Sequence, residues 1–341
     1  MKKTGLVLSL LAGAAILATP AFADTSGKRV ALSNNYAGNS WRQSMLQSWD
    51  KVGKQAIADK IVAAADPFTT ADKEAPTQAA QLQNLILQGY DAIVINSASP
   101  DALNGAVKQA CDAGIVVVAF DGLVTEPCAY KVTVDLAETY GAEEVRQIAK
   151  RLPDGGNLLY IRGLAGTSID DDITKGVYAE IAKHPNLKIV NEVYGNWDQT
   201  TAQKAVATVL PSLPKIDAVL DQGGDAYGAA QAFNAAGRPL PLILLGNRQD
   251  ELAWWKEQIT QKGGYDSWSA SEAPGMVTFA FWVAQQVLDG KDVPKEVPMG
   301  ILTIEQKDLD KYLESTPVGG VANVEYTQAE VIQAIEDAKK K

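Results

Sequence analysis

Residues 91–120 read DAIVINSASPDALNGAVKQACDAGIVVVAF. Ala92–Asn96 and Val116–Phe120 are short, nearly unbroken apolar runs rich in β-branched residues, the mark of strands covered on both faces. Asp101–Ala113 between them carries a helical pattern, and Gly114 suits a left-handed cap at its end. The same order returns at residues 217–245, DAVLDQGGDAYGAAQAFNAAGRPLPLILL. Asp217-Ala218-Val219-Leu220 opens a strand as Asp91-Ala92-Ile93-Val94 does. The helix Ala226–Ala236 closes at Gly237, and Leu242–Leu245 follows as a strand. Chance similarity between two such units is the competing reading.

The alternation extends along the whole chain. Further strands are predicted at Arg29–Ser33, Ile61–Ala65, Lys131–Val134, Leu158–Ile161, Lys188–Tyr194 and Tyr265–Ser269. Further helices are predicted at Trp41–Lys60, Thr77–Gln88, Glu138–Arg151, Gln199–Ser212 and Ala273–Leu288. Alternating apolar strands and helices imply an α/β fold with parallel sheets. The chain's 341 residues suffice for two domains, and the repeat suggests two similar Rossmann-like lobes. Hydrophobic residues make up 46% and charged residues 21%, which excludes fibrous and wholly disordered classes. With 31 basic against 41 acidic residues, net charge is −10, and no basic block suggests a nucleic-acid partner.

The first 23 residues read as a secretory signal. Lys2 and Lys3 precede a mostly apolar run, Gly5–Ala18, and Ala21-Phe22-Ala23 gives a small-x-small cleavage pattern, so the cut is expected after Ala23. The run falls short of the ~20 residues that span a bilayer. No cysteine near the cut offers a lipoprotein anchor. Export to an oxidising compartment makes Cys111 and Cys128 a candidate disulfide, with Pro127 and Thr125-Glu126 turning the chain back; two buried free thiols are the other reading. Two cysteines and one histidine, His184, leave little for a metal site or a proton relay.

In open parallel sheets a ligand sits beyond the carboxyl ends of the strands. The residues placed there are Ser33–Tyr36, Ser97–Ser99, Asp121-Gly122, Arg162-Gly163, Asn196–Asp198, Gln222–Asp225, Asn247–Gln249 and Ser269–Glu272. Amides, hydroxyls, carboxylates and a few arginines and aromatic faces dominate this set, the chemistry that suits a polyhydroxylated ligand.

These residues make the chain resemble the periplasmic sugar-binding proteins of ABC transporters, the group that contains ribose-binding protein. The resemblance runs from about Lys28 to about Gln306. It rests on Val30-Ala31-Leu32-Ser33 with Asn39-Ser40-Trp41, on Val94-Ile95-Asn96 with Pro100-Asp101-Ala102, and on Val117–Asp121, Gly163–Ser168 and Asn196-Trp197-Asp198. It implies the type I periplasmic binding protein fold: two lobes joined by a three-crossing hinge. The first lobe would be residues 28–133 plus 270–298, and the second 134–269 plus 299–341. It also implies a monosaccharide or sugar-like polyol closed between the lobes, a membrane permease as partner, a monomer, and neither cofactor nor catalysis.

Carried over residue by residue, Asn39 and Trp41 match the family's first-loop amide and aromatic wall, Asp121 its sugar-binding carboxylate, and Trp197 the aromatic of the other lobe. Arg42 stands where a second aromatic is usual. Three departures leave the solute open. Ile173 replaces an arginine, Gly246-Asn247-Arg248 replaces Gly-Phe-Asp, and Gly223 replaces an asparagine in Gln222-Gly223-Gly224-Asp225. Gln222, Asp225, Asn247 and Arg248 remain candidate ligand contacts, with Asp171 from the Asp170–Asp172 run, whose better-supported role is capping a helix. Trp268 could line the cleft or pack beneath it, while Trp254 and Trp255 read as packing. Two cleft arginines keep a sugar-acid receptor open as a variant. An exported sugar-active enzyme is the other class, since carboxylates such as Asp121 and Asp171 could pair, although no nucleophile elbow, phosphate loop or metal motif accompanies them.

Overall fold

The computed structural model describes residues 24–71, 74–261 and 264–340; the signal-peptide reading of residues 1–23 lies outside them. In chain order the first half runs β1 (Arg29–Asn34), α1 (Ser40–Ala58), β2 (Ala64–Thr69), α2 (Ala75–Leu87), β3 (Ala92–Asn96), α3 (Asn104–Asp112), β4 (Val116–Ala119) and β5 (Tyr130–Thr133). A π-turn, Ala137–Ala142, leads into α4 (Glu143–Arg151), followed by β6 (Gly156–Arg162), α5 (Ser168–Ile181), β7 (Leu187–Tyr194), α6 (Gln199–Val209), β8 (Ala218–Asp221), α7 (Ala226–Ala235), β9 (Leu242–Ile243) and α8 (Gln249–Gln261). The chain ends with β10 (Ser269–Ser271), α9 (Met276–Leu288), β11 (Glu296–Pro298), β12 (Leu302–Ile304), α10 (Leu309–Ser315) and α11 (Gln328–Ala338).

Two parallel sheets result, ordered β11-β5-β4-β3-β1-β2 and β7-β6-β8-β9. Their apolar strands alternate between two cores, as period-2 geometry requires. Ala92 and Val94 of β3 face Trp49 of α1 and Phe281 of α9, whereas Ile93 and Ile95 face Leu82, Leu85 and Val107 of α2 and α3. In the second sheet Leu159 and Ile161 pack on α6 to α8, and Leu158 and Tyr160 on α4 and α5. Strand order reverses beside β1 and beside β6, so each sheet opens a crevice at its carboxyl end.

The chain crosses between the sheets after β5, between β10 and α9, and between β11 and β12, where β10 and β12 pair antiparallel. Residues 299–341 do not all stay with the second sheet, as the resemblance implied. Ile304, Leu309 and Ala322 do, but Val331 and Ile335 of α11 return to the first-sheet core. Apolar residues four apart give α11 a face to bury there, and a capping box, Thr327 with Glu330, starts it.

Two predicted strands are displaced, the predicted Leu242–Leu245 is regular only over Leu242–Ile243, and β11 and β12 were not predicted. β2 begins at Ala64, not Ile61, because pairing starts at Arg29 opposite Ala64. As an edge strand it tolerates Asp66 and Pro67, which no apolar pattern announces. The run Tyr265–Ser269 pairs only at its end: Ser269 bridges Leu245, and the regular strand is Ser269–Ser271. Trp268 is buried beneath the cleft against Tyr140 (6.5 Å between ring centres), and Trp255 is wholly buried, its Nε1 donating to the Tyr265 carbonyl (2.9 Å). Cys111 and Cys128 are bonded, with Cα atoms 6.3 Å apart, tying the end of α3 to the approach to β5.

Candidate functional site

The carboxyl ends of both sheets face one cleft, with about 580 Å³ of empty space counted to its mouth. On the first-sheet side, α1 brings three residues to it. Asn39 caps the helix, its Oδ1 accepting from the Arg42 N–H (2.9 Å). Trp41 and Arg42 follow in the first turn, and the Trp41 Nε1 donates to the Glu272 carbonyl (2.7 Å). Asp121 lies just past β4 in the left-handed region (φ 54°), where a non-glycine residue is costly and often functional. Its carboxylate lies 2.7 Å from Arg42 Nη1 and accepts from Asn96 Nδ2 (2.6 Å). Both partners of the ion pair are over nine-tenths buried. The Glu272 carboxyl meets the same pair; burial, and after it the neighbouring Asp121, push its pKa well above the usual carboxyl range, while Arg42 pulls it back.

The second-sheet side contributes Leu136 and Tyr140 from the start of the α4 segment, Ile169 and Ile173 from α5, and Trp197, Gln222 and Arg248 from the ends of β7, β8 and β9. Asn196 and Trp197 both adopt positive φ (58° and 55°), which turns the indole onto Gly163, where a Cβ would lie 2.3 Å from the ring. Arg248 crosses the cleft: Nη1 donates to Ser40 Oγ and Nη2 to the Trp197 carbonyl, each at 2.7 Å. Behind it lies a buried acidic group. Burial raises Asp221 to about 7 and Glu251 to about 8, and pushes Asp225 well up, while Arg248 pulls all three back.

Of the residues expected at the site, Asn39, Trp41, Arg42, Asp121, Trp197, Gln222 and Arg248 line the cleft together. Three do not. Asp171 is turned to solvent on α5, its side chain 71% exposed, while its neighbour Asp170 turns inward to Arg162 (2.6 Å). Asp225 is wholly buried behind the wall. Asn247 is spent on structure: its Nδ2 donates to the Leu302 carbonyl (2.8 Å) and its Oδ1 accepts from Ser269 Oγ (2.5 Å). Asn247 nonetheless occupies the place in its repeat that Asp121 holds in the other, with the same left-handed backbone (φ 64°). Glu272, Leu136, Tyr140 and Ile169 line the cleft without having been singled out. Only Glu272 lay within a stretch flagged after a predicted strand. A polar mouth continues outward over Asn35, Ser97, Ser99, Thr167, Asn196 and Asp198.

A family model described as "Periplasmic binding protein domain" matches residues 30–292. The xylitol-binding protein of Mycolicibacterium smegmatis is 29% identical over 245 residues, covering 71% of this chain and 68% of that one. A ribose import binding protein of Salmonella typhimurium is 25% identical over 312 residues, covering 90% and 99%. The crystal structure of an ABC transporter solute binding protein from Thermobispora bispora superposes with a TM-score of 0.85 at 34% identity, covering 92% of this chain and 96% of that one.

Proposed function

The chain belongs to the periplasmic binding protein domain family, and from that premise we propose that it captures one monosaccharide or sugar-like polyol in the cleft and delivers it to the permease of an ABC transporter. It does this as an exported monomer, after removal of residues 1–23, and performs no chemistry on its solute. Among the described residues no helix is long and apolar enough to cross a membrane.

The observation that carries this reading is the pairing of Asp121 with Arg42 and Glu272 between two indoles, Trp41 and Trp197, that reach the cavity from opposite sheets. A carboxylate and a guanidinium side by side can both accept from and donate to vicinal hydroxyls, while flat aromatic faces cover the C–H surface of a ring. Residues 28–133 with 270–298, joined by α11, form the first lobe in this reading, and the rest the second. Closure of the two around the solute is the expected motion. A thermal-shift screen of pentoses, hexoses, polyols and sugar acids tests it, because binding to the folded state raises the melting temperature by mass action. Stabilisation by at least one sugar or polyol, at one solute per chain in calorimetry, is expected; a panel without a hit would contradict it.

A further inference from the structure

The two walls of the cavity differ in what they offer a solute. Asn39, Arg42, Asp121 and Glu272 give the first wall charged and hydrogen-bonding groups, and the buried Arg42 Nη1 makes no well-directed hydrogen bond within the protein. The second wall is mostly aliphatic: Leu136, Ile169 and Ile173 line it. Several of its polar residues already make hydrogen bonds within the protein. The Tyr140 hydroxyl donates to the Asp221 carbonyl (3.2 Å), which leaves the ring toward the cavity. The Gln222 Oε1 accepts from the Gly163 N–H (2.9 Å), and its Nε2 donates to Tyr160 Oη (2.7 Å) and Thr174 Oγ1 (3.0 Å). Arg248 is engaged at both terminal nitrogens, with Ser40 and Trp197. A hydroxyl pressed against Ile169 and Ile173 would lose water and find no partner, whereas a methyl or methylene group would gain from burial.

We propose that the solute is deoxygenated on one flank: a deoxy sugar or deoxy polyol whose hydroxyls meet Asp121, Arg42 and Glu272 and whose methyl or methylene carbon packs on Leu136, Ile169 and Ile173. This rests on the sugar-or-polyol reading above and narrows it. Because Ile173 stands where the resembled family carries an arginine, the narrowing follows from this chain's own wall.

Calorimetry of the folded chain with matched pairs tests it: L-fucose against L-galactose, D-fucose against D-galactose, L-rhamnose against L-mannose, and 2-deoxyribose against ribose. At least one deoxy member should bind about 10-fold or more tighter than its hydroxylated partner, within the limit of what an aliphatic pocket discriminates. If every pair that binds does so equally, or prefers the hydroxylated member, the inference falls and the sugar-binding reading stands. If no member of any pair binds, and the wider panel of sugars and polyols is silent too, both fall. Ile169→Asn gives a second arm. Ile169 is only partly buried, so the variant should fold with a melting temperature near that of the parent chain. The deoxy preference should shrink or reverse; an unchanged ratio would overturn the assignment of this wall.

Discussion

Asp121→Asn keeps the side chain's shape and removes its charge, and it separates two roles. Toward a solute, a hydrogen bond to a charged group contributes about 1.5–3 kcal/mol. Its loss should weaken binding roughly 10- to 150-fold, at ~1.4 kcal/mol per tenfold. Toward the fold, the same change takes the partner from a guanidinium that is over nine-tenths buried. Breaking such a pair ordinarily costs about 3–5 kcal/mol. Here Glu272 lies against the pair, its ionisation disfavoured first by burial and then by the Asp121 charge, and favoured by Arg42. With that charge gone, one of the two influences that disfavour a Glu272 carboxylate is removed while Arg42 still favours it, so the single variant should lose less than the ~3–5 kcal/mol of a pair broken outright. Asp121→Asn combined with Glu272→Gln leaves Arg42 alone and should lose the full ~3–5 kcal/mol. Denaturant midpoints at unchanged slope report the stabilities, and calorimetry reports the affinity. A single variant as unstable as the double would refute the shared-charge account, and near-parental affinity would refute the placement of the solute.

Asp221 and Glu251, raised to about 7 and about 8 by burial, hold protons in the folded chain that the unfolded chain has already released between about pH 4 and 8, so this cluster's contribution to stability falls as pH rises through that window. Glu251→Gln should therefore flatten the dependence of melting temperature on pH there, and an unaltered slope would count against the cluster. Replacing Cys111 and Cys128 by serine removes a bonded loop spanning 17 positions, worth ~3 kcal/mol by chain entropy, and should lower the thermal midpoint without changing solute affinity at a temperature where both proteins are folded. At Gly176 a Cβ would lie 1.9 Å from the Ala137 carbonyl oxygen, where α5 meets the π-turn, so Gly176→Ala should destabilise by about 1–3 kcal/mol; a neutral variant would show that contact to be looser than described.

What could be read in the sequence follows from where the physics is local. β3 was legible to the residue because both its faces are buried, so its first four residues, Ala92–Ile95, form an unbroken apolar run that ends at the polar Asn96. β2 was misplaced because an edge strand half open to water carries no such run. At the site, position after a strand found Asp121 and Arg248, but it could not say which of two adjacent side chains turns inward. Asp170 and Asp171 lie about 100° apart around a helix, and Arg162, distant in neither sequence nor space, selects Asp170. At Asn247-Arg248 a left-handed backbone turns the asparagine under the sheet and sends the arginine across the cleft. Glu272 gave no local signal of its role, since it follows a three-residue strand in a crossing between sheets, and its partners come from elements that assemble only in the fold. The return of α11 to the first lobe was readable in part: Thr327-x-x-Glu330 announces a helix start, but nothing nearby says which core that helix joins.

The central claim is that one small solute is held between the two sheets by this cluster. A crystal structure of the chain with the strongest-binding sugar or polyol from the panel tests it most directly. The account predicts a single solute between Trp41 and Trp197, its hydroxyls within hydrogen-bond distance of Asp121 and Arg42. A solute bound outside the cleft, or within it but contacting neither Asp121 nor Arg42, would contradict it.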